Sequence, residues 1–193
     1  MAPADRGFVM RRSEHDWAIR CLAGAALALS ACSGNGETTA LAEPPGEPAA
    51  TVAQDDYGPA PAWELPDLEG NQVRSDSLAG KIVVMDFWAT WCPPCLFQIP
   101  ILNSVQAKHQ GDDVVVIGVA VDAEGAEVVK PFAKKNGIQY RILIGDEALA
   151  RKFGAPGFPA MAIVGREGRI DSTHVGLIEE DDLDAAIAKV QGS

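Results

Sequence analysis

The stretch that most constrains this chain is Lys81-Ile-Val-Val-Met-Asp-Phe-Trp-Ala-Thr-Trp-Cys-Pro-Pro-Cys95. Ile82 to Phe87 is a run of β-branched and apolar residues around Asp86, the composition of a short strand buried on both faces. Leu96 to His109 predicts a helix, with Phe97, Ile101 and Val105 at i,i+4 spacing and Gly111 just past its end. A Cys-x-x-Cys is thereby placed where a strand turns into a helix N-terminus. Unpaired N–H groups and the helix dipole favour an anion at that point, and so favour the thiolate of the first cysteine. Proline is tolerated in a first helical turn, because its missing N–H would have had no partner there.

The chain has four cysteines, at positions 21, 32, 92 and 95. The first two fall in a segment that reads as an export signal, which leaves Cys92 and Cys95 as the thiols of the mature domain. A structural disulfide framework is then excluded, and the pair is left for redox chemistry or metal. In redox chemistry a thiolate attacks a substrate disulfide and a second thiol resolves the mixed disulfide. At this spacing the first thiol is expected to face out and the second to be more enclosed. Cys92 is therefore cast as nucleophile and Cys95 as resolver. Half of a zinc site and a pair of buried structural thiols are the competing readings. Zinc wants four ligands, and no second Cys pair or His pair exists to complete them. No metal and no cofactor are expected.

At 193 residues there is room for one domain of ordinary size plus appendages. A formal charge of −11 argues against nucleic acid as partner, since phosphate binding needs basic patches. Residues 1–31 read as targeting: Arg11, Arg12 and Arg20 precede Leu22 to Ala31, an apolar stretch too short to span a bilayer. Met10 offers a second start that would give a signal of more usual length. The stretch ends in Leu29-Ser30-Ala31-Cys32, which resembles the bacterial lipoprotein signal. That resemblance implies cleavage before Cys32 and acyl chains on its thiol and amine; an ordinary secretory signal would leave Cys32 free. Residues 32–60 are rich in Gly, Pro, Ala, Thr and Glu, the composition of a solvated tether. Losing residues 1–31 removes four basic and three acidic side chains and leaves a formal charge of −12. Acyl chains, and not attraction to anionic lipid, would then be the anchor.

Residues 61–193 read as the domain. Trp63 to Leu65 and Gln72 to Arg74 predict a β-hairpin. Val114 to Val121 predicts a second buried strand, and Glu124 to Asn136 a helix that Pro131 either kinks or reopens. Arg141 to Ile144 predicts a short strand and Glu147 to Phe153 a short helix. Ala160 to Val164 and Arg169 to Val175 predict a hairpin. Glu179 to Val190 predicts a closing helix with Leu183, Ile187 and Val190 inward. Strands alternating with helices, then a terminal hairpin, imply an α/β fold with a mixed sheet and helices on both faces.

Asp86 to Cys95 is similar to the active-site segment of thioredoxin-fold proteins. From about Trp63 to Gln191 the chain resembles the membrane-tethered TlpA/ResA-like thiol-disulfide reductases of bacteria, with their strand-and-helix insertion. The resemblance implies that Gly157-Phe158-Pro159 is the loop whose proline, in cis, packs opposite the cysteine pair, although Pro156 is a nearby rival and an ordinary turn proline the plain alternative. Phe158 would then offer backbone groups to a bound client chain; smaller or β-branched residues are commoner there. Trp88 and Trp91 would shield the pair and shape its rim. Asp86, the counterpart of an aspartate thought to relay a proton to the resolving thiol, is the candidate general acid/base on Cys95. A hydrogen-bonded structural carboxylate is the competing reading. ResA-like members carry a glutamate three residues after the second cysteine, where this chain has Gln98, which cannot titrate.

The function implied is a thiol-disulfide oxidoreductase of the cell envelope. Its expected partners are disulfide-containing exported clients (apo-cytochrome c or copper-site proteins of cytochrome oxidase), a membrane-spanning electron donor, and a lipid membrane reached through Cys32; it is expected to be a monomer. Two rival functions compete with this one. A thiol peroxidase usually has Thr three residues before its reactive cysteine, where Ala89 stands. A Cu(I) chaperone would use the two soft thiolates with Met161 as a late third ligand. Pro93-Pro94 brings neither charge nor N–H to the first sulfur, and no Lys or Arg lies between Lys81 and Lys108. A potential more negative than about −200 mV is therefore expected, on the reductant side.

Overall fold

The computed structural model describes residues 57–109, 111 and 113–192. Cys32, the signal and nearly all of the tether lie outside these residues. The leading hairpin forms from β1 (Glu64–Pro66) and β2 (Gln72–Arg74), paired antiparallel. Its turn is held by Asp67, whose Oδ1 accepts from the N–H groups of Glu69 and Asn71 at 2.9 Å each. A 3₁₀ turn at Ser75–Leu78, not foreseen from the sequence, leads into β3 (Ile82–Trp88). All seven residues of β3 are buried, as its unbroken apolar composition requires of a central strand.

The remaining elements are α1 (Cys95–Lys108), β4 (Val114–Ala120), α2 (Ala126–Asn136), β5 (Arg141–Ile144), α3 (Glu147–Lys152), β6 (Ala160–Val164), β7 (Ile170–Val175) and α4 (Glu180–Gln191). The five-stranded sheet runs β5-β4-β3-β6-β7, with β3, β4 and β5 parallel and β6 antiparallel to both β3 and β7. One face carries Ile82, Val84 and Trp88 under Leu102 and Val105 of α1, Val129 and Ala133 of α2, and Leu183 and Ile187 of α4. The other carries Val83, Met85 and Phe87 under Leu78, Ala150 and Phe153, with Leu65 and Val73 of the hairpin against them. Phe87 meets Phe153 at 5.6 Å between ring centres.

The inward face of α1 differs from expectation. Phe97 is 69 % exposed, whereas Cys95, Gln98, Ile99, Leu102 and Val105 are buried. The i,i+4 series through Phe97 and Ile101 marked the helix but lies one step round from the stripe that packs. Pro100 and Pro131 both sit inside helices. The carbonyls they leave without an N–H belong to Leu96 and Glu127, which are exposed, so water can replace the lost bond. Gly137 closes α2 at φ 67°, a left-handed conformation open to glycine at no steric cost.

Candidate active site

β3 ends at Trp88, and the chain then makes a tight turn before α1. Cys92 N–H donates to Ala89 O at 3.2 Å. Cys92 and Cys95 are joined by a disulfide, with Cα atoms 5.4 Å apart. The outward first thiol anticipated from the spacing is not evident in this state, since Cys92 is 5 % and Cys95 3 % exposed. Both sulfur-bearing residues pack with Trp88, Ala89 and Val129. Trp91, Pro93 and Pro94 are the exposed members of the turn.

The first N–H groups of α1 are already engaged. Cys95 N–H donates to Cys92 O at 3.1 Å, Leu96 N–H to Pro93 O at 3.2 Å and Phe97 N–H to Pro94 O at 3.0 Å. These tight i−3 bonds consume the donors that a helix start otherwise offers to an anion. Together with two prolines that have no N–H, they leave the dipole as the main local source of thiolate stabilisation.

The Phe158–Pro159 peptide bond is cis; among the described residues Ala155–Pro156 is not. Pro159 immediately precedes Ala160, which pairs with Phe87 across β3 and β6. The proline therefore sits at the same sheet end from which the cysteine turn departs. Gly176 N–H donates to Pro159 O at 2.8 Å and fixes the loop. Trp91, 59 % exposed, meets the Phe158 ring edge-on at 6.0 Å. Trp88 instead is buried, tilted against Phe132 at 5.5 Å. The two tryptophans thus divide into a rim residue and a core residue.

Asp86 is 2 % exposed, and its Oδ1 has no hydrogen-bond partner among the described residues. Burial pushes its carboxyl up to about 7, because an ion is poorly solvated in an apolar interior. It shares a sheet face with Trp88, two residues on, which lies in the same buried cluster as both cysteines.

Two site residues escaped the sequence reading, and a third has a job it did not suggest. Asp122, just beyond β4 and buried, accepts from Thr90 N–H at 3.1 Å through each oxygen and from Thr90 Oγ1–H at 2.5 Å. It pins the cysteine turn from the neighbouring strand end. A carboxylate at the end of an apolar strand was the available signal, the same one that singled out Asp86. Tyr140, buried just before β5, also escaped notice. Gln98 donates through Nε2 to Ile178 O at 3.2 Å and accepts from Ile178 N–H through Oε1 at 3.1 Å. An ionised glutamate, an acceptor alone, could not make both bonds. The position ties α1 to the segment before α4.

The rival functions fare poorly against this geometry. The Thr90 hydroxyl is given to Asp122 and not to a cysteine. Met161 is buried in the core with Ile82, Val84 and Ile163.

The chain matches the AhpC/TSA family over residues 58–173. It is 27% identical over 133 residues to thiol-disulfide oxidoreductase ResA of Bacillus anthracis, covering 68% of this chain and 76% of that one. It is 30% identical over 127 residues to the thioredoxin-like protein YneN of Bacillus subtilis strain 168, covering 65% and 74%. Among solved structures, a thiol:disulfide interchange protein of the thioredoxin family from Chlorobium tepidum superposes with a TM-score of 0.61 at 30% identity, covering 68% of this chain and 94% of that one. A disulfide-bonded Cys-x-x-Cys at a helix start, beside a cis-proline loop on a mixed sheet, is the arrangement that thiol-disulfide exchange requires. The chain belongs to the AhpC/TSA family, and within it is a ResA/TlpA-like thiol-disulfide oxidoreductase.

Proposed function

We propose that this oxidoreductase is a reductase of the bacterial cell envelope, held to a membrane by acyl chains on Cys32 and acting as a monomer on disulfides of exported proteins. Residues 1–31 would be its signal, 32–60 its tether and 61–193 its working domain. The observation that carries the direction is the start of α1, where three N–H groups are spent on carbonyls and two prolines supply none. A thiolate with few donors is a poor product of reduction, so the disulfide is a weak oxidant and the dithiol a good reductant.

In the cycle, the Cys92 thiolate attacks one sulfur of the client disulfide and the first client thiolate leaves. The exposed Trp91 ring, Phe158 and Pro159 would form the surface on which the client strand lies. Asp86 takes the proton from the Cys95 thiol. The Cys95 thiolate attacks Cys92 Sγ, the second client thiolate leaves, and Cys92–Cys95 closes as a disulfide. Two electrons pass to the client, and its two thiolates take up two protons, one returned by Asp86 and one from solvent. A carboxyl raised to about 7 is partly ionised near neutrality, so it can both accept and return that proton. Two electrons from a membrane-spanning donor would restore the dithiol.

Trapping tests the assignment. Cys95→Ser is expected to accumulate mixed disulfides through Cys92, and Cys92→Ser to accumulate few. Equal accumulation by both variants would contradict the assigned roles.

A further inference from the structure

Three buried polar atoms on one face of the sheet have no partner among the described residues: Asp86 Oδ1, Trp88 Nε1 and Tyr140 Oη. Gly118 lies beside all three residues: it pairs with Asp86 across β3 and β4, and the rings of Trp88 and Tyr140 pack over it. A Cβ on Gly118 would lie 2.8 Å from Trp88 Nε1 and 2.9 Å from Tyr140 Cε2, so the absent side chain is what lets the indole and phenol close in. Asp86 and Trp88 point to this same side, two residues apart on β3. Tyr140 reaches it from just before β5, where burial and then the charge of Asp86 push its phenol up. Asn103 of α1 fixes the backbone leading to Tyr140, donating to Gly137 O and accepting from Gln139 N–H, both at 2.8 Å.

We infer that Asp86, Trp88 and Tyr140 hold one buried water molecule between their three unpartnered atoms, and that Tyr140 is a positioning residue for Asp86 through that water. The indole N–H can donate and an ionised carboxylate can accept, yet the two atoms are not bonded to each other or to any described residue. A water accepts from Trp88, donates to Asp86, and exchanges its remaining hydrogen bond with the Tyr140 hydroxyl. About three polar partners is the usual number for an internal water. Tyr140 also lines an open recess of about 530 Å³ that includes Glu127, Lys130 and Lys134. The water and phenol thus lie between Asp86 and a solvent-facing surface, on the route by which a proton taken from Cys95 can leave.

The inference rests on the proposed role of Asp86 as proton acceptor, and the test separates the two. Among the described residues, Tyr140 is the titratable group on which the charge of Asp86 bears; α1 and α4 also carry Lys108, His109, Glu180 and Asp184, which meet one another, and Asp122 is bonded to Thr90. Rates of mixed-disulfide resolution are measured against pH for the wild type, Asp86→Asn and Tyr140→Phe. Tyr140→Phe keeps the ring and deletes one hydrogen bond to the water. Its midpoint is expected to rise by about 0.7 pH unit, the fivefold worth of one hydrogen bond, with the plateau rate at high pH retained. A crystal structure of the wild type is expected to show one water within reach of all three atoms. If Asp86→Asn slows resolution while the Tyr140→Phe profile superimposes on the wild type, the role of Tyr140 is overturned and that of Asp86 stands. If Asp86→Asn resolves at the wild-type rate, both fall.

Discussion

The cysteine turn and the interior beneath it are built on opposite polar rules. Around the turn, buried polar side chains are paired: Asp122 takes up both donors of Thr90, and Gln98 matches both backbone groups of Ile178. Beneath it, Asp86, Trp88 and Tyr140 each keep a buried polar atom that no described residue satisfies. A paired buried group fixes geometry, and an unpaired one costs stability. The turn's polar residues hold shape, and on the proposed reading Asp86 on the floor handles the proton.

That contrast makes opposite forecasts for two aspartates. Asp86→Asn is expected to stabilise the protein at alkaline pH. The native carboxyl holds its proton until about 7, against 3.8 ordinarily, so the stability of the neutral form is full below about pH 4. It is lost progressively as pH rises through 7, where the native state must bury a charge. The variant has no charge to bury, and its advantage at pH 8 is expected to reach roughly 4 kcal/mol at most, vanishing near pH 4. Urea unfolding at the two pH values measures it. Equal stability of variant and wild type at pH 8 would place Asp86 with the satisfied groups of the turn.

Asp122→Asn is expected to act the other way and more weakly. An amide keeps one oxygen for both Thr90 donors but turns the other into an N–H2 that faces Thr90 N–H, and the bonds that remain lose their charge assistance. The cost is expected to be about 1–2 kcal/mol in the same urea measurement. A variant that is more stable than wild type would mean that the turn, too, stores strain in a buried charge.

Much of this was legible in the chain itself, because the sheet's strands are local apolar runs. Arg141–Ile144 and Ala160–Val164 can be read to the residue, since Gly145 and Gly165 close them and Pro159 opens the second. The closing helix shows its inward Leu183, Ile187 and Val190 equally plainly. The face of α1 was misread because exposed Phe97 and Leu96 border the cysteines, and hydrophobicity there marks a surface and not a core. The site's first cysteine, second cysteine and cis proline are adjacent to recognisable motifs. Tyr140 and Gly118 are not, for their meaning depends on a register between strands that no short window contains. A glycine in mid-strand does signal close approach of another group, and Gly118 was such a signal.

The reductant assignment is tested most directly by the potential of the Cys92–Cys95 couple, measured by equilibrating the protein against a glutathione redox buffer. With the N–H groups of Cys95, Leu96 and Phe97 engaged and Pro93-Pro94 between the sulfurs, the expected value is more negative than about −200 mV. A value near about −120 mV, at the oxidant end of the range for this kind of couple, would contradict the assignment and make the protein a donor of disulfides.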